Sequence, residues 1–243
     1  MQVCFDKIID ISWTLSPQTT NWKDNASNSI QFPQYRSFEQ GHGARASNIF
    51  MNGHSGTHLD APSHFLENGS TIEQISLQQL QGQAIVLDFL QLAKDEVLLK
   101  RKHLEYFDNV IKPNSIVLLK TCNSLLSEES TPFNNNFTAL AQCAAQYLAC
   151  EKKVKAVGID YLGIERSDLQ KHHETHTTLF SNHVAIIEGL RLAHVPTRYV
   201  YKKEQAAVQF DPSLQADYFC ICLPLKTKGI EVAPARAILY EIK

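Results

Sequence analysis

No apolar run in this chain approaches the roughly 20 residues that a membrane-spanning helix requires, so no membrane role is expected. The opening stretch, MQVCFDKIIDISW, has no basic segment followed by an apolar one, and no secretory leader is read in it. An excess of positive charge is missing too: 23 Lys and Arg stand against 25 Asp and Glu, for a net charge of −2. Nucleic acid demands a broad basic face, so no nucleic-acid partner is expected. The short basic runs at 100–102 and 152–155 read as solvated faces. Cys4, Cys122, Cys143, Cys150, Cys220 and Cys222 form no CxxC pair and no disulfide framework. Scattered thiols of this kind suit a reducing compartment, and a cytoplasmic location is expected. Repeats, low-complexity tracts and linkers are also missing.

What is present suits a sizeable core. A chain of 243 residues, 44% of them hydrophobic, can hide on the order of 70–75% of its surface without staples. We therefore expect one α/β domain over residues 1–243, with a mixed β-sheet core of about eight strands and three or four helices. Strands are expected at 7–13, 46–52, 83–90, 114–121, 154–160, 184–188, 218–225 and 235–242. Helices are expected over 95–109, 138–148 and 167–182, the last starting at Ser167 with Asp168 in its first turn. Residues 14–45 read as a long polar loop in which Trp22, Phe32, Tyr35 and Phe38 serve as aromatic anchors.

The densest chemistry lies in Gly53–Phe65, GHSGTHLDAPSHF, which holds three histidines, one aspartate, two glycines and one proline. His54, His58, Asp60 and His64 are spaced by four, two and four. Gly53, Gly56 and Pro62 weaken a helical reading, and a strand running out into a tight loop fits better. Imidazole and carboxylate are the donors that catalytic divalent ions use. His54, His58 and Asp60 supply one such set. Residues 172–188, HHETHTTLFSNHVAIIE, offer His172, His173, His176, His183 and Glu188. Glu188 ends an apolar strand ahead of Gly189, and a buried carboxylate there needs a partner. Spacing alone leaves open which histidine joins it.

GHSGTHLDAPSHF resembles the HxGTHxDxPxH signature of the cyclase-like metal-dependent hydrolases, a group that includes bacterial kynurenine formamidases (arylformamidases) and isatin hydrolases. The resemblance extends through Asp10–Ser12 with Trp22, the strands SIVLLKT at 115–121 and VKAVGID at 154–160, His176 twelve residues before Glu188, LPLK at 223–226, and APARAIL at 233–239. It implies that His54, His58, Asp60, His176 and Glu188 bind metal, with Asp60 able to bridge two ions, and that His64 is the catalytic acid/base. His172, His173 and His183 stay unassigned, as solvent-facing or supporting residues. The implied fold is a swivelling β/β/α type, assembled as a homo-oligomer, dimer or tetramer. The implied cofactor is a divalent metal, one or two ions, with Zn²⁺ as the default and Mn²⁺ also suited. The implied reaction is hydrolysis of an aryl formamide, a small-molecule substrate such as N-formylkynurenine, with Trp22 against its ring. Another small amide such as isatin is the alternative within the class, and a non-catalytic metal- or ligand-binding relative is the alternative outside it. This chain departs from the family at Trp22-Lys23-Asp24-Asn25 and Tyr161-Leu162-Gly163-Ile164-Glu165, where the substrate pocket is expected.

Overall fold

A computed structural model describes residues 3–92, 97–205, 207–214 and 217–242. Ten strands form the main sheet: β1 (Val3–Asp10), β2 (His58–Asp60), β3 (Gln81–Asp88), β4 (Ile116–Lys120), β5 (Ala156–Ile159), β6 (Ala185–Glu188), β7 (Tyr199–Lys202), β8 (Ala207–Phe210), β9 (Asp217–Pro224) and β10 (Val232–Ile242). The strands β3, β4, β5 and β6 pair in parallel, as buried β-branched runs do when both faces are covered. β6 then pairs antiparallel with β2, β2 with β10, β10 with β9, and β9 with β3. Those pairings close a ring of seven strands. β1 adds to the outside of β10, and the β7–β8 hairpin adds to the end of β3. The α/β class with a mixed sheet is as expected, but the pairing describes a closed ring rather than a layered swivelling arrangement.

Side chains alternate across the ring wall because strand residues alternate faces. Leu59, Val86, Ile116, Leu118, Ala156, Ile187, Cys220 and Leu239 share the interior cluster. Their neighbours Leu87, Val117, Leu119, Val157, Ile159 and Ile186 share the outer cluster with Leu148 and Leu179. Those last two lie on the helical stretch Gln142–Glu151, whose final turn is a π-helix, and on the helix Glu174–Ser181. We label the α-helical segments α1 (Arg101–Leu104), α2 (Gln142–Gln146) and α3 (Glu174–Ser181).

Several expected elements are shorter. The helix expected at 95–109 is one α turn followed by a 3₁₀ turn, Glu105–Phe107, and its residues 95 and 96 lie outside the described residues. The helix expected from Ser167 begins only at Glu174, because His172 and His173 take positive φ, +54° and +52°, which breaks any helix before it; Asp168 binds the Arg166 guanidinium at 3.1 and 2.5 Å instead. The strand expected at 46–52 is reduced to Ala46–Ser47, paired with Gln34–Arg36. Of the four loop aromatics, only Trp22 anchors, with its ring edge-on to Phe133 and Phe137 at 4.7 and 6.1 Å. Phe32, Tyr35 and Phe38 are exposed. No helix among the described residues is long and apolar enough to cross a membrane.

Candidate metal centre

The alternation that fills the ring also presents the motif. Leu59 points inward with the interior cluster, so its neighbours His58 and Asp60 point outward, on the side covered by α3. The register sets Glu188 directly opposite His58 and Ile186 opposite Asp60. Glu188 therefore shares the outer face with both. α3 buries Thr175, His176, Leu179 and Phe180, a helical stripe that brings His176 down onto that face. His54 reaches the group from the loop ahead of β2, where its backbone N–H donates to Asn52 Oδ1 at 2.8 Å.

The five side chains converge. His54 Nδ1 lies 3.1 Å from Asp60 Oδ1, and His58 Nε2 lies 3.6 Å from the same oxygen and 3.1 Å from Glu188 Oε2. His176 Nε2 lies 3.5 Å from Glu188 Oε1 and 3.9 Å from Asp60 Oδ2. The two oxygens of Asp60 thus face different imidazoles. Asp60 Oδ1 is buried and has no hydrogen-bond partner. Among the described residues neither Asp60 nor Glu188 pairs with a Lys or Arg. Two buried carboxylates, an orphaned oxygen and three imidazoles make a donor set that fits a divalent cation.

Local backbone supports the cluster. His58 Nδ1 hydrogen-bonds the Gly56 carbonyl at 2.9 Å, leaving Nε2 toward the carboxylates. Gly56 and Gly189 both adopt positive φ, +58° and +66°. A Cβ on Gly189 would come 2.1 Å from the Gly56 oxygen, so the close approach of the motif loop to the end of β6 needs glycine there. The Ile164 N–H donates to Glu188 Oε1 at 2.6 Å.

Burial and charge pull the titration of these groups apart. Burial opposes protonation of His176, but hydrogen bonds to Glu165 and Glu188 outweigh it and raise its pKa to about 9. His58 is likewise raised: burial is outweighed by Glu188 and Asp60. Burial raises and the two imidazoles lower Glu188, and the imidazoles win, holding it well below the usual carboxylate range. His64 goes the other way. Its burial, aided by the nearby His54 and His176, lowers it below 6.5 despite Asp60 and Glu188.

His64 sits on the 3₁₀ turn Pro62–His64, its ring 4.5 Å from that of His54 and 4.0 Å from Phe65. Among the described residues no hydrogen bond engages its ring. One imidazole nitrogen lies within 4.8 Å of ligand atoms of His54 and Asp60. His172 and His183 are exposed; the latter donates its backbone N–H to the Phe180 carbonyl and accepts Gln79 Nε2 on its own carbonyl. His173 is exposed as well but lines the cavity beside Phe65.

Sequence reasoning placed Glu165 in the expected pocket stretch but missed its contact with His176. Its carboxylate is buried, holds His176 Nδ1 at 2.7 Å, and keeps a second oxygen without a partner. The only signal was an acid following the buried run Tyr161–Ile164. The cluster opens into a cavity of about 500 Å³ walled by Trp22, Lys23, Phe65, Leu162, Gly163 and Ser167. That size suits a drug-sized or smaller ligand.

A family model described as a cyclase matches residues 9–166. A solved structure described as a potential metal-dependent hydrolase with cyclase activity is 33% identical, covers 98% of each chain and superposes with a TM-score of 0.77. The chain belongs to the cyclase family. Kynurenine formamidase of Bacillus cereus is 26% identical over 96% of this chain and 97% of its own length. Isatin hydrolase A from Ralstonia solanacearum, 18% identical with a TM-score of 0.75, covers 97% of this chain and 92% of its own and shares the fold.

Proposed function

We propose that this chain hydrolyses an aryl formamide, most directly N-formylkynurenine to kynurenine and formate, as one hydrolase domain over residues 1–243. Its class, a metal-dependent amidohydrolase acting on C–N bonds other than peptide bonds, is supported by the similar metal-dependent hydrolase and the similar kynurenine formamidase. The carrying observation is the buried Asp60–Glu188 pair, faced by His54, His58 and His176 and left without any neutralising Lys or Arg among the described residues. These five would hold one or two divalent ions, Zn²⁺ by default and Mn²⁺ as a second choice. Asp60, with its oxygens facing different imidazoles, is suited to bridge two. A divalent ion bound there would lower the pKa of coordinated water toward neutrality and polarise a substrate carbonyl.

His64 then moves the protons. Its lowered pKa keeps the imidazole neutral at pH 7, ready to take a proton from water and return it to the departing nitrogen. The leaving group of an aryl formamide is an aniline, which departs more readily than an alkyl amine. Trp22, held by Phe133 and Phe137, offers a rigid wall for its ring.

A second reading within the class is hydrolysis of a small cyclic amide such as isatin, supported by the shared fold. A non-catalytic metal- or ligand-binding role has less support, because the His64 ring stands beside the donors with no hydrogen bond among the described residues. Homo-oligomerisation is supported by Phe32, Tyr35, Phe38 and Phe50, each exposed within residues 32–50. The composition supports a cytoplasmic location.

The test is a panel of N-formylkynurenine, isatin and other aryl amides, run on chelated protein re-supplied with single metals. Turnover of N-formylkynurenine with zinc or manganese is expected. No turnover of it with any metal would sink the formamidase reading, and turnover of isatin alone would install the second.

A further inference from the structure

A second pocket adjoins the cavity and is lined by none of the five candidate metal ligands. Trp22, Lys23 and Ser167 wall the main cavity and also wall a smaller pocket of about 140 Å³, completed by Phe137, Arg166 and Asp168. Two cations therefore border one small space next to the substrate cavity.

Arg166 is buried, only 5% exposed, with its guanidinium 5.9 Å from the Phe137 ring. Its Nε and Nη2 bind Asp168, and Nη2 also reaches Asn136 Oδ1 at 3.4 Å. Its Nη1 is buried with no hydrogen-bond partner. A buried donor left unpaired is costly, and a charged one more so, unless an acceptor arrives from outside. Lys23 is exposed, and among the described residues no ion pair engages it. Its ammonium lies 5.9 Å from the Trp22 ring. Among the described residues Asp168 is the one carboxylate lining the pocket, so two positive charges face one negative one.

The backbone that places Lys23 is unusual. Lys23 and Asp24 take φ of +54° and +52°, a region that residues with a Cβ avoid. Asp24 Oδ1 accepts the Phe133 N–H at 2.9 Å and helps hold the turn. Non-glycine residues persist in that region where the surroundings impose it, often beside ligand sites.

We propose that this pocket is an anion subsite. It takes a carboxylate carried on the tail of an aryl amide whose amide group lies at the His54–Asp60–Glu188 centre. The inference rests on reading that centre as hydrolytic, and it narrows the substrate class to anionic aryl amides. A neutral bicyclic lactam has no group to place between Lys23 and Arg166. Arg166 supplies a fixed charge on the pocket wall and Lys23 a mobile one, a division that suits carboxylate recognition.

A matched pair of substrates tests it: 4-(2-formamidophenyl)-4-oxobutanoate, and 2′-formamidoacetophenone, which lacks the carboxylate tail. The acid is expected to show a kcat/KM about tenfold or more above the ketone, carried by KM, as one charge-assisted contact implies. Lys23→Met is expected to cut that ratio about tenfold, and Lys23→Arg to restore most of it. Equal kcat/KM for the pair, or a ratio that Lys23→Met leaves unchanged, overturns the proposal. Binding is followed separately through tryptophan fluorescence with 4-oxo-4-phenylbutanoate and acetophenone, neither of which can be hydrolysed. Lys23-dependent binding of the acid alone upholds the subsite even if no formamide turns over, in which case the hydrolytic reading fails by itself. Indifference of binding to the carboxylate removes the subsite whatever the turnover.

Discussion

Glu165 Oε2 lies 2.7 Å from His176 Nδ1 and accepts the His176 backbone N–H at 3.2 Å. One carboxylate oxygen thus fixes both the ring and the main chain of a candidate ligand. Carboxylate at Nδ1 keeps a proton there and turns Nε2 toward Asp60 and Glu188, where an ion would displace the second proton. Glu165→Ala is expected to weaken metal affinity by about 10- to 100-fold, measured by competition with a chelator. Glu165→Gln, which keeps an acceptor, should lose less. Equal affinity in Glu165→Ala and the parent would show that His176 does not need this support.

His64→Ala separates proton transfer from metal binding. Metal content measured by elemental analysis should persist, while kcat falls by about 10²- to 10⁴-fold. The parent's activity should hold down to a pH below 6.5, because the lowered His64 pKa keeps the imidazole neutral there. Activity surviving the substitution would refute the assigned role.

Asp60→Asn and Glu188→Gln remove one buried negative charge each from the donor set. Both should come out of purification with reduced metal occupancy, and Asp60→Asn should affect every bound ion if it bridges two. Full occupancy in either variant would remove that residue from the ligand set.

Ion removal should couple to protons. In the ion-free protein the raised pKa of His176, about 9, keeps it protonated at neutrality, and His58 is shifted the same way. A metal must displace those protons, so apparent affinity should fall as pH drops below about 9. Calorimetry in buffers of different ionisation enthalpy should show more proton release at pH 7 than above pH 9. Saturating metal at about 1,000 times Kd adds roughly 4 kcal/mol of stability. That corresponds to a melting shift of roughly 8–16 °C for a chain of this size.

Gly189→Ala tests the backbone contact behind Glu188. Its φ of +66° and a Cβ placed 2.1 Å from the Gly56 oxygen leave no room for a methyl group. Destabilisation above about 1 kcal/mol is expected in urea unfolding, together with lost metal. A stable, fully loaded variant would mean that the loop can retreat from the strand without cost.

The candidate metal ligands stood out because three of them lie within seven residues, and a dense, glycine-broken cluster has few structural uses. Glu188 was readable from its place at the end of an apolar strand. His176 was not separable from its neighbours by spacing. What selects it is the stripe of Thr175, Leu179 and Phe180, which turns one helix face toward the sheet. The central strands were legible because β4 and β5 are apolar on both faces. Ring closure was not, since it depends on β9 pairing with both β3 and β10, and pairing partners leave no mark in local sequence. The roles of Glu165 and Arg166 were invisible for a similar reason. Each matters through a partner that only the folded chain brings near.

The seven-strand ring carries a consequence for motion. β2 has strand neighbours on both sides, so the amides of His58–Asp60 lie inside a hydrogen-bonded circuit with no free edge from which to fray. The turn at Trp22–Asp24 and the Arg166–Asp168 segment lie outside that circuit. Amide exchange should therefore be slowest at His58–Asp60 and faster around the proposed anion pocket. The ligand spacing then stays rigid while the pocket rim breathes, so what the protein accepts can change without disturbing the part that reacts.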